Sequence, residues 1–193
     1  MSLLALDLGS KCGWAIRSLD GKLHSGFWSL VPSEKSPDNT RWLPLWRNLM
    51  RLHGEHRITV VAFELVMSHG RPGETKKAEC PSCRRVIEMP MNAQNVLAAQ
   101  VYGGLKAVLE MWCDFHDLPW HSVHVGTLKK FATGSGRATK RDMVSWAKLR
   151  WPEQRVHGDD QADALHILDW LEVEVLRRRV KQVIDAPGRM ASS

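Results

Sequence analysis

Apolar residues run along the chain in two rhythms, and each predicts a different element. The opening string LLALDLG is a short apolar run interrupted mid-way by one carboxylate, Asp7, and predicts a first β-strand. Gly9 marks a turn and GWAIRSL resumes as a second strand. KLHSGFWSLV, reached across the Asp20-Gly21 pair, completes a β-meander, because Asp-Gly favours tight hairpins. A Pro/Ser/Asn-rich loop follows at 32–40. The rhythm then changes: Trp42, Leu45, Trp46, Leu49 and Leu52 recur at helical spacing, with Thr40 as N-cap and Gly54 as the stop. ITVVAFELV is a buried strand, β-branched and again interrupted by one carboxylate, Glu64.

Residues 67–91 break the pattern. They are polar, basic and punctuated by proline, which predicts an inserted loop. A long helix follows (NAQNVLAAQVYGGLKAVLEMWCDFH), then a short strand HSVHV, a short helix over 126–131 and a Gly-rich turn at 133–138. Two more helices, KRDMVSWAKLRW and DDQADALHILDWLEVEVLRRRV, precede a tail from Ala186 expected to be disordered. A meander followed by strand–helix alternation predicts an α/β fold on a mixed sheet. At 193 residues the chain suits one domain, expected over 1–185 with the insertion inside it.

Several classes of protein are disfavoured. No segment is apolar for the length that a membrane span requires. The first apolar run carries Asp7 and lacks a basic leader, so it reads as a strand and not a signal peptide. The four cysteines, Cys12, Cys80, Cys83 and Cys113, are expected to be reduced in a cytoplasmic protein.

Charge adds direction. The net charge is +6, and it is concentrated. Residues 129–155 hold Lys129, Lys130, Arg137, Lys140, Arg141, Lys148, Arg150 and Arg155 against only Asp142 and Glu153. Arg177, Arg178, Arg179 and Lys181 form a second cluster. Such density suits a polyanion, because each neutralised phosphate releases condensed counterions.

The carboxylates supply the chemistry. Asp7 and Glu64 interrupt apolar strands, while Asp160 and Asp163 lie three apart at the start of a helix, on one face. Singly, each has a plain explanation: a strand end, a helix cap, or a charge favoured by a helix N-terminus. Jointly they are better explained by a cation, because a carboxylate in an apolar strand is costly unless paired. Mg²⁺ prefers oxygen ligands, and two ions ~3.5–4 Å apart suit phosphodiester hydrolysis.

In this order, LALDLGSKCGWAI, VVAFELV, VYGGLKAVLEMW, VGTLKKFATGSGRATKRDM and DDQADAL resemble the Holliday-junction resolvases of the RuvC type, above all the compact phage and prophage forms. The resemblance covers residues 3–170. It implies an RNase H-like fold, a mixed five-stranded sheet flanked by helices. It implies a homodimeric endonuclease that resolves four-way junctions in branched DNA by paired nicks, leaving 5′-phosphate and 3′-hydroxyl ends, in a bacterial host's cytoplasm. Asp7, Glu64, Asp160 and Asp163 are then the ligands of two Mg²⁺ ions per site (Mn²⁺ able to substitute), with Asp159 the alternative to Asp160. Lys129 and Lys140 fall near the scissile phosphate, where a lysine either steadies the transition state or only contacts the backbone. Lys130, Arg137, Arg141, Arg84 and Arg85 are the further DNA contacts expected. The Gly134-Ser135-Gly136 turn offers amides to a phosphate, or is simply a turn.

Two features stand outside that pattern. Cys80-x-x-Cys83 is half of a zinc site, with His69 the nearest further ligand; it binds zinc with other residues, shares an ion across a dimer, or binds nothing. Where RuvC-like enzymes carry an apolar or aromatic side chain after the strand glutamate, this chain has Leu65, Val66 and Met67, and then basic residues Arg71, Lys76 and Lys77. Trp42, Trp46 and Trp112 read as core, whereas Trp146 and Trp151, in the basic segment, are candidates for stacking on bases. Competing readings are an RNase H or flap nuclease, a non-catalytic DNA-binding protein, and an actin-like or sugar-kinase-like ATPase. The last needs a second phosphate loop and about twice this length.

Overall fold

The computed structural model describes residues 1–31, 41–66, 75–79, 86–90 and 92–185. Strands β1 (Leu3–Asp7), β2 (Lys11–Arg17) and β3 (Leu23–Ser29) open the chain, followed by helix α1 (Trp42–His56) and strand β4 (Val60–Leu65). Two short strands come next, β5 (Thr75–Glu79) and β6 (Val86–Pro90), then helix α2 (Asn92–Phe115) and strand β7 (Trp120–His124). Helices α3 (Val125–Thr133) and α4 (Lys140–Arg150), a 3-10 turn at Pro152–Gln154 and helix α5 (Asp159–Asp185) complete it.

Five strands form one sheet in the order β3-β2-β1-β4-β7. The first three are antiparallel, while β4 runs parallel to β1 and β7 parallel to β4. This is the mixed five-stranded α/β sheet expected from the meander and the alternation that follows it. Successive side chains of a strand point to opposite faces, and both faces are used. Leu4, Leu6, Ile16, Val61 and Phe63 turn to one side, against Leu45, Leu49 and Leu52 of α1 and Leu105, Leu109 and Trp112 of α2. Leu3, Ala5, Ala15, Val60 and Ala62 turn to the other, beneath Ala162, Leu165 and Leu168 of α5, with Leu128 of α3 and Met143 of α4. The alanines of this second row let α5 lie close to the sheet. Arg17 fastens it, its Nε donating to Glu172 Oε1 at 2.7 Å.

The elements depart from expectation at identifiable places. Gly54 does not stop α1, which continues to His56; Arg57 takes the left-handed conformation (φ 50°) and donates its N–H to His53 O. Arg41 occupies the N-cap position without a side-chain cap, and Thr40 lies outside the described residues. The segment read as an inserted loop contains an antiparallel hairpin, β5 with β6, with Lys77 in register with Glu88. The strand TKKAE carries no apolar alternation, so its pairing left no hydrophobic signature. His69, Arg71, Cys80, Cys83, Arg84, Arg85 and the tail from Ala186 lie outside the described residues. Trp151 is a correction: it is buried, edge-on to His166 at 5.2 Å, because its ring turns into the layer between α4 and α5. Trp146 stays exposed and Trp112 is buried as expected, with Trp46 packed on the same core; Trp42, expected in the core, is exposed instead, its ring lying over Gly104 of α2. Cys12 and Cys113 are buried free thiols, each pushed up by burial. No helix among the described residues is long and apolar enough to cross a membrane.

Candidate active site

Because β1 and β4 are adjacent and parallel, their C-terminal ends lie side by side. Asp7 is the last residue of β1, not a mid-strand one, and Glu64 is the last but one of β4. Asp7 shares its strand face with Leu3 and Ala5, and Glu64 with Val60 and Ala62, so both carboxylates turn toward α5. Tyr102 of α2 steadies the end of β4: its hydroxyl donates to Glu64 O at 2.9 Å and accepts from Val66 N at 3.2 Å.

The start of α5 is brought to these carboxylates by an unusual approach. Gly13 of β2 pairs with Asp7, and a Cβ at Gly13 would stand 1.8 Å from Asp160 O. Only glycine lets the first turn of α5 rest on the strand there. The buried Gln161 holds that turn from beneath. Its Oε1 accepts from His157 N at 3.0 Å, and its Nε2 donates to Ser25 Oγ at 2.9 Å. Ser25 Oγ in turn donates to Gln154 Oε1, and Gln154 Nε2 to Leu23 O, so β3, the 3-10 turn and α5 form one polar network.

Asp7, Glu64 and Asp163 line a cleft of about 210 Å³ together with Lys129 and Lys140. Val125, Leu128 and Met143 supply its apolar part. Asp160 is not among the lining residues but lies near enough to act electrostatically on Asp7. Asp159 is engaged differently, accepting from Lys140 Nζ at 2.5 Å. Lys140 is placed by a capping box at the start of α4: Thr139 Oγ1 accepts from Asp142 N, and Asp142 Oδ2 accepts from Thr139 N at 2.8 Å.

The protonation pattern follows from this crowding. Burial holds the Asp7 carboxyl well above the usual carboxylate range, and the charges of Asp163, Glu64 and Asp160 add to it. Burial, then Glu64 and Asp159, push Asp163 up to about 7. Glu64 is raised by burial, against the pull of Lys129 and Lys140; Asp160 is raised by burial and then by Asp159. Asp159 moves the other way because Lys140 hydrogen-bonds it, and the same bond raises Lys140.

The donor set fits a hard divalent cation, since every candidate ligand is a carboxylate oxygen. Asp163 Oδ1 is buried without a hydrogen-bond partner, as an oxygen reserved for such a ligand would be. Among the described residues no three acidic, His or Cys side chains close on a common point.

Among solved structures, Thermus thermophilus RuvC matches with a TM-score of 0.58 at 16% identity, covering 87% of this chain and 91% of that one. The chain has the RuvC fold. T. thermophilus RuvC in complex with Holliday junction substrate matches at a TM-score of 0.62 and 15% identity, covering 87% of this chain and 90% of that one. The yeast mitochondrial Holliday junction resolvase Ydc2 matches at 0.50 and 12%, with 94% and 85% covered. No protein-family model and no curated protein sequence matches the chain.

Around the cleft of this RuvC fold, Lys130, Arg137 and Arg141 are exposed on α3, the following turn and α4. The Gly-rich turn is not an open amide cradle. Gly134 N donates to Lys130 O, Ser135 N to Thr133 Oγ1, Arg137 N to Ser135 Oγ and Ala138 N to Ser135 O. Gly13, Tyr102 and Gln161 were not singled out by sequence. The Thr139-x-x-Asp142 box was readable there, as a hydroxyl followed three residues later by an acid at a helix start.

Proposed function

We propose that this chain is a divalent-metal-dependent endonuclease that hydrolyses phosphodiesters in branched DNA and resolves four-way junctions by paired nicks. The observation that carries the reading is the convergence of Asp7, Glu64 and Asp163, from two parallel strands and a helix, on one cleft with Lys129 and Lys140. The likeness to a RuvC bound to a Holliday junction supports the substrate class.

Asp7, Glu64, Asp160 and Asp163 would hold two Mg²⁺ ions, or Mn²⁺ in their place. When bound, these ions supply the charge that activates water and steadies the leaving oxygen. The protein's own groups bind and orient the strand. Lys140 is held protonated by Asp159, so it meets a phosphate as a fixed cation and not as a base. Lys129 stands on the opposite helix of the cleft, where its ammonium balances charge gathered on the phosphate. Leu128 and Met143, both buried, keep water from the carboxylates' flank. Lys130, Arg137 and Arg141 neutralise flanking phosphates, which makes binding steeply salt-dependent. The products are 5′-phosphate and 3′-hydroxyl ends. A four-way junction is nearly two-fold symmetric, so an isologous homodimer would present two clefts to opposed strands.

The test is cleavage of a synthetic four-way junction beside duplex, flap and RNA–DNA hybrid controls. With Mg²⁺, symmetric paired nicks in the junction are expected, and Asp7→Asn should bind it without cutting. Cutting that survives Asp7→Asn would remove the site assignment. Binding without cutting in Mg²⁺ and Mn²⁺ would make the chain a DNA-binding protein, and preference for the hybrid an RNase H.

A further inference from the structure

Strand β3 is one edge of the sheet, and its side facing α5 carries three residues with different fates. Leu23 packs on the apolar layer beneath α5. Ser25 is tied into the Gln161–Gln154 network. Phe27, the next in the row, is 47% exposed. It pairs in register with Gly13, which pairs with Asp7, so the three residues form one row across three strands. Paired residues of adjacent strands share a face, and at ~4.8 Å per strand the Phe27 backbone stands about 10 Å from that of Asp7. That is roughly three nucleotides at a stacked rise of ~3.4 Å each. The first turn of α5 rests on Gly13 and leaves Phe27 about half exposed, on the face that carries the cleft.

The surroundings of the ring are cationic. Lys11 Nζ lies 6.0 Å from the ring centroid. A single exposed ring with an ammonium beside it is not the broad patch that an apolar protein partner needs. It is the pairing of aromatic face and positive charge by which single-stranded nucleic acid is held.

We propose that Phe27 and Lys11 form a stacking platform for an unpaired base of the DNA strand entering the cleft. The ring takes the base's face and the ammonium takes the adjoining phosphate. This rests on the nuclease reading of the cleft.

The experiment uses full-length Asp7→Asn protein, which leaves DNA uncut, and a four-way junction with 5-iododeoxyuridine at each of the three nucleotides on either side of the cleavage site. Irradiation should crosslink one of these bases to Phe27, located by mass spectrometry of the adduct. Phe27→Ala should lose that adduct and bind junctions and oligo-dT on the order of tenfold more weakly. Phe27→Trp should keep both, and the melting temperatures of both variants should match their parent, because the ring is exposed. Lys11→Gln should lower the slope of log affinity against log salt by about one phosphate's worth. Adducts elsewhere, with unchanged affinity of Phe27→Ala in a protein that cuts junctions, would overturn the platform alone. Binding to neither junction nor oligo-dT would overturn the platform and the nuclease reading together.

Discussion

On the α1–α2 side of the sheet, Leu4, Leu6 and Phe63 interdigitate with leucines of both helices and with Trp112. On the α5 side the same two strands present Leu3, Ala5, Val60 and Ala62, and then, at their ends, Asp7 and Glu64. One face gains stability from every residue it buries. The other gives up stability at its strand ends, where burial holds both carboxyls above their ordinary range and the neighbouring carboxylates add to it at Asp7. Strand alternation makes this division possible, because neighbouring residues of one strand serve different faces. A strand can therefore be held rigidly from one side while its far end carries a group that would not hold itself there.

The comparison can be broken from either face. The largest stability effect is expected on the dry side: Leu49→Ala, in α1 and fully buried, should cost about 2–5 kcal/mol in urea unfolding. Its cleavage per folded molecule should be unchanged, since Leu49 touches nothing in the cleft. Gly13→Ala should reverse the balance. It drives a Cβ into Asp160 O, so α5 must shift, costing about 1–3 kcal/mol and nearly all cleavage, read by unfolding and junction nicking on one preparation. Thr139→Ala should be milder, about 1 kcal/mol from the lost cap, with slower nicking because Lys140 begins the helix that the cap fixes. An equal loss of nicking in Leu49→Ala and Gly13→Ala would erase the distinction between the faces.

How much was legible depends on how local the cause is. Asp7 and Glu64 were visible because a carboxylate within an apolar run contradicts its own neighbours. The mixed sheet was visible because a meander and a later strand–helix alternation each leave a hydrophobic rhythm. Gly13 was not, because its reason is a backbone atom of Asp160, far along the chain, that no local pattern announces. Gln161 was hidden likewise: a glutamine between two aspartates reads as surface until Ser25 and His157 are seen to need it. Trp151 was misread because its basic neighbours suggested a surface, while its own ring turned inward onto His166. The β5–β6 hairpin escaped because the strand TKKAE carries no apolar alternation to announce it.

We propose that the carboxylates of the cleft are set beside one another, against their own charge, to receive a cation. Folded carboxyls raised above their unfolded value, near 3.9 for Asp, bind more protons than the unfolded chain does. Their contribution is therefore present at low pH and lost as pH rises, for Asp163 through about 7. Histidines with lowered values, the half-buried His53 and the buried His166 among them, act in the opposite sense, so the informative quantity is a difference between two proteins that share them. Thermal melts of wild type and Asp7→Asn without divalent metal, from pH 5 to pH 8, supply it. The prediction is that Asp7→Asn melts close to wild type at pH 5 and progressively higher as pH rises, and that Mg²⁺ raises wild type much more than the variant. A variant that melts below wild type across the range, with no response of wild type to Mg²⁺, would contradict it.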